Sequence, residues 1–179
     1  MKPSGDSNLC SSCRPAVSYN DAWCVGERSG ALRELIDRYK FDRARAGGSI
    51  LASLLDAVVP QLPQGTVVTY IPDIAPHRRQ RGYDHMRYCA RLFARGRGLD
   101  CQPLLTRQTS LSQRGAGKIE RAKRQRGAFR VDETVEHPTL LIDDICTTGA
   151  TLNAGAAALR SVSQQPVFIA VVARQPFDR

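Results

Sequence analysis

Thr139-Leu-Leu-Ile-Asp-Asp-Ile-Cys-Thr-Thr-Gly-Ala-Thr151 is the stretch on which the reading of this chain turns. Its first four residues, Thr139 to Ile142, read as a buried strand that runs into two carboxylates, Asp143 and Asp144. A small-residue loop follows, with Thr147, Thr148, Gly149, Ala150 and Thr151. From Thr151 to Val162 the chain is Ala-rich, with Leu152, Ala156 and Leu159 on one side, which predicts a helix. Ligands of open α/β sheets bind beyond the carboxyl ends of the strands. The first amides of a helix lack intrahelical partners and carry partial positive charge. A phosphate therefore fits this loop, held by backbone N–H groups and threonine hydroxyls, with Gly149 letting the backbone approach closely. Asp143 and Asp144 repel such an anion but can accept hydrogen bonds from a vicinal diol beside it. Acid pair and phosphate cradle together describe a pocket for a ribose 5-phosphate. The bland alternative is that the two acids cap the following turn; the adjoining Thr-Thr-Gly loop and helix start speak against it. A nucleotide P-loop needs Gly-Lys-Ser/Thr at the helix start, and no lysine follows Lys123.

Outward from this segment, Val167 to Ala173 is near-continuously apolar, as expected of a strand with helices on both sheet faces. Upstream, Leu32, Leu35, Ile36 and Tyr39 fall on one helical face, and Leu51, Leu54, Leu55 and Val58 repeat the pattern until Pro60 and Pro63 end it. Thr66 to Ile71 reads as a buried strand before Pro72. Met86, Cys89, Ala90 and Phe93 form another helical stripe, closed by Gly96 and Gly98. A short strand is expected around Leu104 and Leu105, and a long mobile loop over about 107–127. Strands alternating with helices predict an α/β fold with a mostly parallel sheet. Residues 29–179 form its domain, and residues 1–28, which hold Cys10, Cys13 and Cys24, are expected to be a small irregular module.

The chain has 179 residues, 42% of them apolar and 24% charged, which suits a globular core. No apolar run approaches the roughly 18–20 residues of a membrane span, so no membrane insertion is expected. The first ten residues lack a signal-peptide pattern, so the expected location is cytoplasmic. In that compartment the six cysteines read as metal ligands, small core residues or loop residues before disulfides. The net charge of +9 is concentrated: residues 78–130 hold 15 basic and three acidic side chains. Such a block attracts phosphates, pyrophosphate or nucleic acid, or is simply a solvated basic face.

The segment from Ile142 to Thr151 closely resembles the phosphoribosyl-pyrophosphate (PRPP) signature of type I phosphoribosyltransferases, and the wider chain resembles the ComF family of competence-associated proteins within them. Three features carry the narrower likeness: Ile71-Pro72 leading to Arg79-x-Arg81-Gly82-Tyr83; Gln113 with Arg121 eight residues on and Gly127-Ala128-Phe129 beyond; and N-terminal cysteines similar to a zinc ribbon. The resemblance implies a Rossmann-like open sheet of the type I phosphoribosyltransferase fold with a small, degenerate zinc-ribbon-like start. It implies that PRPP and Mg²⁺ bind and that a nucleophile displaces pyrophosphate at the ribose anomeric carbon, a pentosyl transfer linked to DNA uptake, natural transformation or nucleotide metabolism. PRPP binding is carried onto Ile142, Asp143, Asp144, Ile145, Cys146, Thr147, Thr148, Gly149, Ala150 and Thr151, with Pro72 and Asp73. Asp143 and Asp144 would favour the cationic sugar, Arg79 and Arg81 would face pyrophosphate, and Arg107, Gln113 and Arg121 would serve from the loop. The other reading is a non-catalytic, PRPP-sensing competence accessory factor that binds single-stranded DNA or competence proteins.

The chain also departs from the family pattern. Asp84-His85 stands where Asn-Gln is common, Arg124 replaces an asparagine, and Glu27 stands where the last zinc thiolate belongs. Cys10, Cys13 and Cys24 are three soft ligands, one short of a tetrahedral Zn²⁺ site. Glu27, Asp21 or a neighbour's cysteine could complete it, or the thiols are free. Cys89 is expected in the core and Trp23 as the packing anchor of the small module; His77 and His85 flank the arginine segment and are expected in exposed loops, with proton transfer as the alternative role.

Overall fold

The alternation of strand and helix takes shape as a five-stranded sheet in a computed structural model, which describes residues 17–41, 46–76, 79, 82–108 and 127–176. In chain order the elements are β1 (Asp21–Glu27), α1 (Gly30–Phe41), α2 (Ala46–Val58), β2 (Val67–Tyr70), α3 (His85–Gly96), β3 (Asp100–Cys101), β4 (Thr106–Arg107), β5 (Phe129–Arg130), β6 (Thr139–Cys146), α4 (Ala150–Arg160) and β7 (Val167–Arg174). The sheet order is β1-β7-β6-β2-β3, with every pairing parallel. The protein is thus α/β, with helices on both sheet faces. Val68, Leu140 and Ile142 pack on one face against Ile36, Leu51, Met86 and Phe93 from α1, α2 and α3. Leu141, Ile169 and Val171 pack on the other against Leu152, Ala156 and Leu159 of α4.

This layout fixes where a ligand can sit. The unit β2-α3-β3 steps one way along the sheet and β6-α4-β7 steps the other. Right-handed crossovers then place α3 and α4 on opposite faces. β2 and β6 are paired from Val67↔Thr139 to Tyr70↔Ile142, so the strand order reverses between them. A crevice opens at the carboxyl ends of strands at such a reversal. Here it is bounded by residues 71–73 after β2 and by the end of β6.

Four expectations are corrected. β6 does not stop at the acids: pairing with β7 runs from Thr139↔Val167 through Asp143↔Val171 to Cys146↔Arg174, so Asp143 and Asp144 are strand residues. Residues 21–27 are not part of a separate irregular module but form the edge strand β1, paired with β7 from Asp21↔Phe168 to Glu27↔Arg174. Asn20 clips its start, its amide donating to the Val167 carbonyl and its side chain accepting from the Val167 amide. Trp23 accordingly anchors the strand to the sheet, its ring centroid 5.8 Å from that of Phe168. Leu104 and Leu105 lie between strands rather than within one, with Leu105 buried under α4. The loop begins later than expected at its amino end, because Thr106-Arg107 pairs antiparallel with Phe129-Arg130 and the Gln108 amide donates to the Ala128 carbonyl. The rest of it, residues 109–126, lies outside the described residues. Among the described residues no helix is long and apolar enough to cross a membrane.

Candidate active site

Successive strand residues point to opposite faces, and β6 uses that alternation to separate its two acids. Leu141 packs on the α4 side, and Asp143, two residues on, takes the same face. Beyond the acids the alternation breaks, with Ile145 on the α1–α3 side and Cys146 on the α4 side, where the Asp143 charge reaches its thiol. Leu140 and Ile142 face α1, α2 and α3, and Asp144 shares their side. There Asp144 is buried, 6% exposed, and its Oδ2 meets Lys40 Nζ at 2.7 Å and His85 Nε2 at 2.5 Å. His85 Nδ1 lies 3.3 Å from Asp73 Oδ2, so the imidazole bridges the acids that follow β2 and end β6. Asp84 caps α3, accepting from the Arg87 amide, and its other oxygen accepts from the Asp73 amide at 3.3 Å. The Tyr39 hydroxyl donates to the His85 carbonyl at 2.5 Å.

This network pulls the two neighbours apart electrostatically. Burial pushes the Asp144 carboxyl up, but the hydrogen bond from His85 and the charge of Lys40 outweigh it and hold Asp144 below the usual carboxylate range. Asp143 is less well compensated: burial and then the Asp144 charge push its carboxyl well above that range, with only partial relief from the Asp144 amide, which donates to Asp143 Oδ1 at 2.9 Å, and from the charges of Lys40 and His85. Burial lowers His85, yet its hydrogen bonds to Asp144 and Asp73 win and raise it above 6.5.

On the Asp143 side the chain builds an anion cradle. Gly149 is the N-cap of α4, with φ 74°, and being glycine offers no side-chain cap of its own. That left-handed backbone suits glycine, and a Cβ there would meet only Cys146 Sγ, at 3.8 Å. Thr147, Thr148 and Thr151 are exposed around the open helix start. The Ala150 amide reaches the Thr148 hydroxyl at 3.4 Å; the first amides of a helix lack intrahelical partners, and an anion can accept from them.

The other candidates divide. Ile142 is fully buried in the sheet, so it supports the site from beneath, and Ile145 packs on the α1–α3 side. Asp73 is turned inward onto His85, with its own Oδ1 accepting from the Ile74 amide. The Pro72 carbonyl accepts from Arg107 Nε at 3.2 Å, and the Arg107 guanidinium lies over the Phe129 ring at 4.8 Å. These contacts place Arg107 at the mouth of the crevice. Arg79 is exposed, its Nε reaching the Ala75 carbonyl at 3.5 Å, a local contact rather than one with the acids. Arg81, Gln113, Arg121, Cys10, Cys13 and His77 lie outside the described residues.

One site residue was misplaced by the sequence reading and another escaped it. His85 is not an exposed loop residue but the buried first residue of α3, and Lys40 was not singled out at all. A signal existed for both. Lys40 is four residues beyond Ile36 on the apolar face of α1, and His85 four before Cys89 on that of α3, so each sits on a core-facing stripe. A charged group on such a stripe needs a buried partner.

The partners expected for Cys24 at a zinc site, Cys10 and Cys13, lie outside the described residues. Cys24 itself lies in β1, its thiol donates to the Gly26 carbonyl at 3.2 Å, and burial pushes its pKa up. No group of three metal-binding side chains occurs among the described residues. A separate hollow of about 360 Å³, lined by Gln61, Leu62, Arg97 and Leu99, lies at the amino ends of β2 and β3, the far end of the sheet from the acids. In comparisons with known proteins, no family model and no curated protein matches the chain.

Proposed function

We propose that the chain is a ComF-like phosphoribosyltransferase that binds PRPP with Mg²⁺ and transfers the phosphoribosyl group to a nucleophile, releasing pyrophosphate. The observation that carries this reading is the arrangement at the strand-order reversal. A carboxylate on the α4 face of β6 stands beside a helix start whose Gly149-led loop can hold a phosphate. The 5-phosphate would take the first amides of α4 and the Thr147 and Thr148 hydroxyls, and the ribose diol would face the acids. As the bond to pyrophosphate breaks, the sugar becomes cationic, and fixed carboxylates beside it stabilise that charge. Mg²⁺ supplies further neutralisation of the departing pyrophosphate. It is commonly held by substrate phosphates with one or two carboxylates, which fits a cation carried in with the substrate. Arg107 at the crevice mouth, with Arg79, Arg81, Gln113 and Arg121, is assigned to the pyrophosphate and loop side. Cytoplasmic action in DNA uptake or nucleotide metabolism belongs to the same reading.

Isothermal titration with PRPP and Mg²⁺ tests it. Wild type should bind, and the Asp143→Asn, Asp144→Asn double variant should lose most of that affinity. A folded wild type that gives no heat refutes the pocket.

A second reading, a nucleic-acid-binding accessory factor, is favoured by α3. Arg87, Arg91 and Arg95 recur every four residues on its exposed face, beside a Tyr88 that is 37% exposed. Its mark would be binding of a single-stranded oligonucleotide that weakens steeply with salt.

A further inference from the structure

We propose that Lys40 and His85 are positioning residues that make the site select a ribose over a deoxyribose: they hold one oxygen of Asp144 and leave the other turned to the sugar hydroxyls. This rests on the phosphoribosyl reading above and names what sets its sugar specificity. Lys40 Nζ, from α1, and His85 Nε2, from the start of α3, both reach Asp144 Oδ2, at 2.7 and 2.5 Å. Asp144 Oδ1 takes no hydrogen bond among the described residues, and the side chain keeps 8% of its surface exposed. Arg28 Nε is the one buried side-chain polar atom without a partner among the described residues, so Oδ1 is open to the crevice rather than sealed in the core. A carboxylate held by one oxygen has its second fixed in direction, ready to accept from a hydroxyl with little left to order. Asp143 approaches from the α4 face and Asp144 from the α1–α3 face, so a diol lying across β6 can take one acid on each side.

The support for Asp144 is anchored in the core. Tyr39, fully buried beside Lys40, donates its hydroxyl to the His85 carbonyl at 2.5 Å, which ties α1 to the start of α3. His85 Nδ1 lies 3.3 Å from Asp73 Oδ2, so the ring is held from both ends. The Lys40 and His85 side chains are 16% and 6% exposed, and a charge that shallowly solvated is costly to leave without its partner. Lys40 and a charged His85 also offset Asp144 and Asp73, which would otherwise repel a phosphate. That offset serves any sugar phosphate alike; the direction of Asp144 Oδ1 matters only to the hydroxyls.

The test is calorimetric titration of the full chain with ribose 5-phosphate and with 2-deoxyribose 5-phosphate, each variant also melted to check its fold. The ratio of the two affinities cancels the phosphate contribution and reads the hydroxyl alone. Wild type should prefer ribose 5-phosphate by about tenfold or more, as expected for a hydrogen bond to a charged group. Asp144→Asn and Lys40→Met should each lower that preference to about threefold or less. Adding Lys40→Met to Asp144→Asn should lower it no further, since Lys40 acts on the hydroxyls through Asp144. His85→Gln, whose amide nitrogen falls near Nε2, should keep the preference. His85→Asn, whose amide nitrogen falls near Nδ1, should lose it, whereas a merely structural histidine treats the two alike. Arg97→Ala, which loosens the far end of the sheet, should leave the ratio unchanged. If Lys40→Met does not fold, the two His85 variants carry the test. A tenfold preference kept in folded Lys40→Met or His85→Asn overturns the proposal, as does a further fall when Lys40 is removed from Asp144→Asn. A wild type that binds PRPP with Mg²⁺ but prefers neither sugar overturns this inference alone. A wild type that binds neither PRPP nor ribose 5-phosphate overturns the phosphoribosyl reading, and this inference with it.

Discussion

His85 Nε2 stands 2.5 Å from Asp144 Oδ2 while its other ring nitrogen faces Asp73 at 3.3 Å, so one imidazole joins the two strand ends of the crevice. This makes stability depend on pH in a definite direction. His85 is raised above 6.5 in the folded chain, so its contribution is complete below 6.5 and is lost as pH rises through the raised value. Asp143, also raised, costs nothing while protonated and opposes folding increasingly as pH climbs above 3.8 toward its folded value. Asp144 is lowered, so its stabilisation is present above 3.8 and is lost only as pH falls through the lower folded value. Together these groups make stability fall as pH rises above 3.8, first through Asp143 and above 6.5 through His85 as well, so the urea midpoint should fall from about pH 6 to pH 9. Asp143→Asn should flatten that fall, and so should His85→Gln, from a lower starting stability. A midpoint that rises between pH 6 and 9 rules out this network as described.

Lys40 and Asp144 should be strongly coupled in stability. Removing either partner leaves a buried charge short of its counter-ion, a loss of about 3 kcal/mol for a buried pair. Lys40→Met and Asp144→Asn should each lower the unfolding free energy by about that much, and the double variant by clearly less than the sum. A double-variant cycle in urea reads the coupling, with about 1–3 kcal/mol expected. Strict additivity means that the two groups do not meet.

The parts of the fold that were legible in the sequence are those whose signal is local. The apolar runs of β6 and β7 and the stripes of α1, α2, α3 and α4 state their own burial, and the Asp143–Thr151 segment carries its chemistry in consecutive residues. β1 was not legible because little within Asp-Ala-Trp-Cys-Val-Gly-Glu favours a strand over a loop. It becomes a strand by joining the free edge of β7, with Asn20 and Val167 hydrogen-bonded across 147 positions. Cysteines in a ribbon-like spacing pointed the same residues toward a different structure. The acid pair could be read, but its inequality could not. What distinguishes Asp143 from Asp144 is Lys40, 104 positions away, and His85, 59 positions away, brought to one face only by packing.

Arg97 should be a keystone of the far end of the sheet. From the end of α3 its Nε reaches Asp56 Oδ1 at 2.5 Å, its Nη1 the Pro60 carbonyl at 2.7 Å, and its Nη2 the Asp56 carbonyl at 2.8 Å and the Val59 carbonyl. The guanidinium also lies 5.0 Å from the Phe93 ring centroid. One planar fork thus satisfies the open carbonyls at the carboxyl end of α2 and places a cation where the helix dipole favours one. Arg97→Ala should cost about 2 kcal/mol in urea unfolding, and Arg97→Lys should recover under half of it, because an ammonium keeps the charge but not the fork. PRPP binding should be unchanged. Full recovery by lysine would show that charge alone does the work.

Gly155 tests how closely α4 must lie on the sheet. Alanine in a helix interior normally gains up to about 1 kcal/mol over glycine. Here a Cβ would come within 3.0 Å of Ile71 Cδ1 and Leu141 Cδ2 and 3.3 Å of Leu105 Cδ1, methyl groups from three different segments of one packed core. They cannot all retreat into a filled interior, so α4 must lift or the side chains must leave their rotamers. Gly155→Ala should therefore show none of the helical gain, and Gly155→Val should lose about 1–3 kcal/mol. Because the start of α4 is the phosphate cradle, the same lift should weaken PRPP binding more than it weakens the fold. Urea unfolding and PRPP titration on the two variants read both effects. An alanine variant that is about 1 kcal/mol more stable and binds PRPP as wild type does would show that the helix has slack and that its seating does not set the cradle.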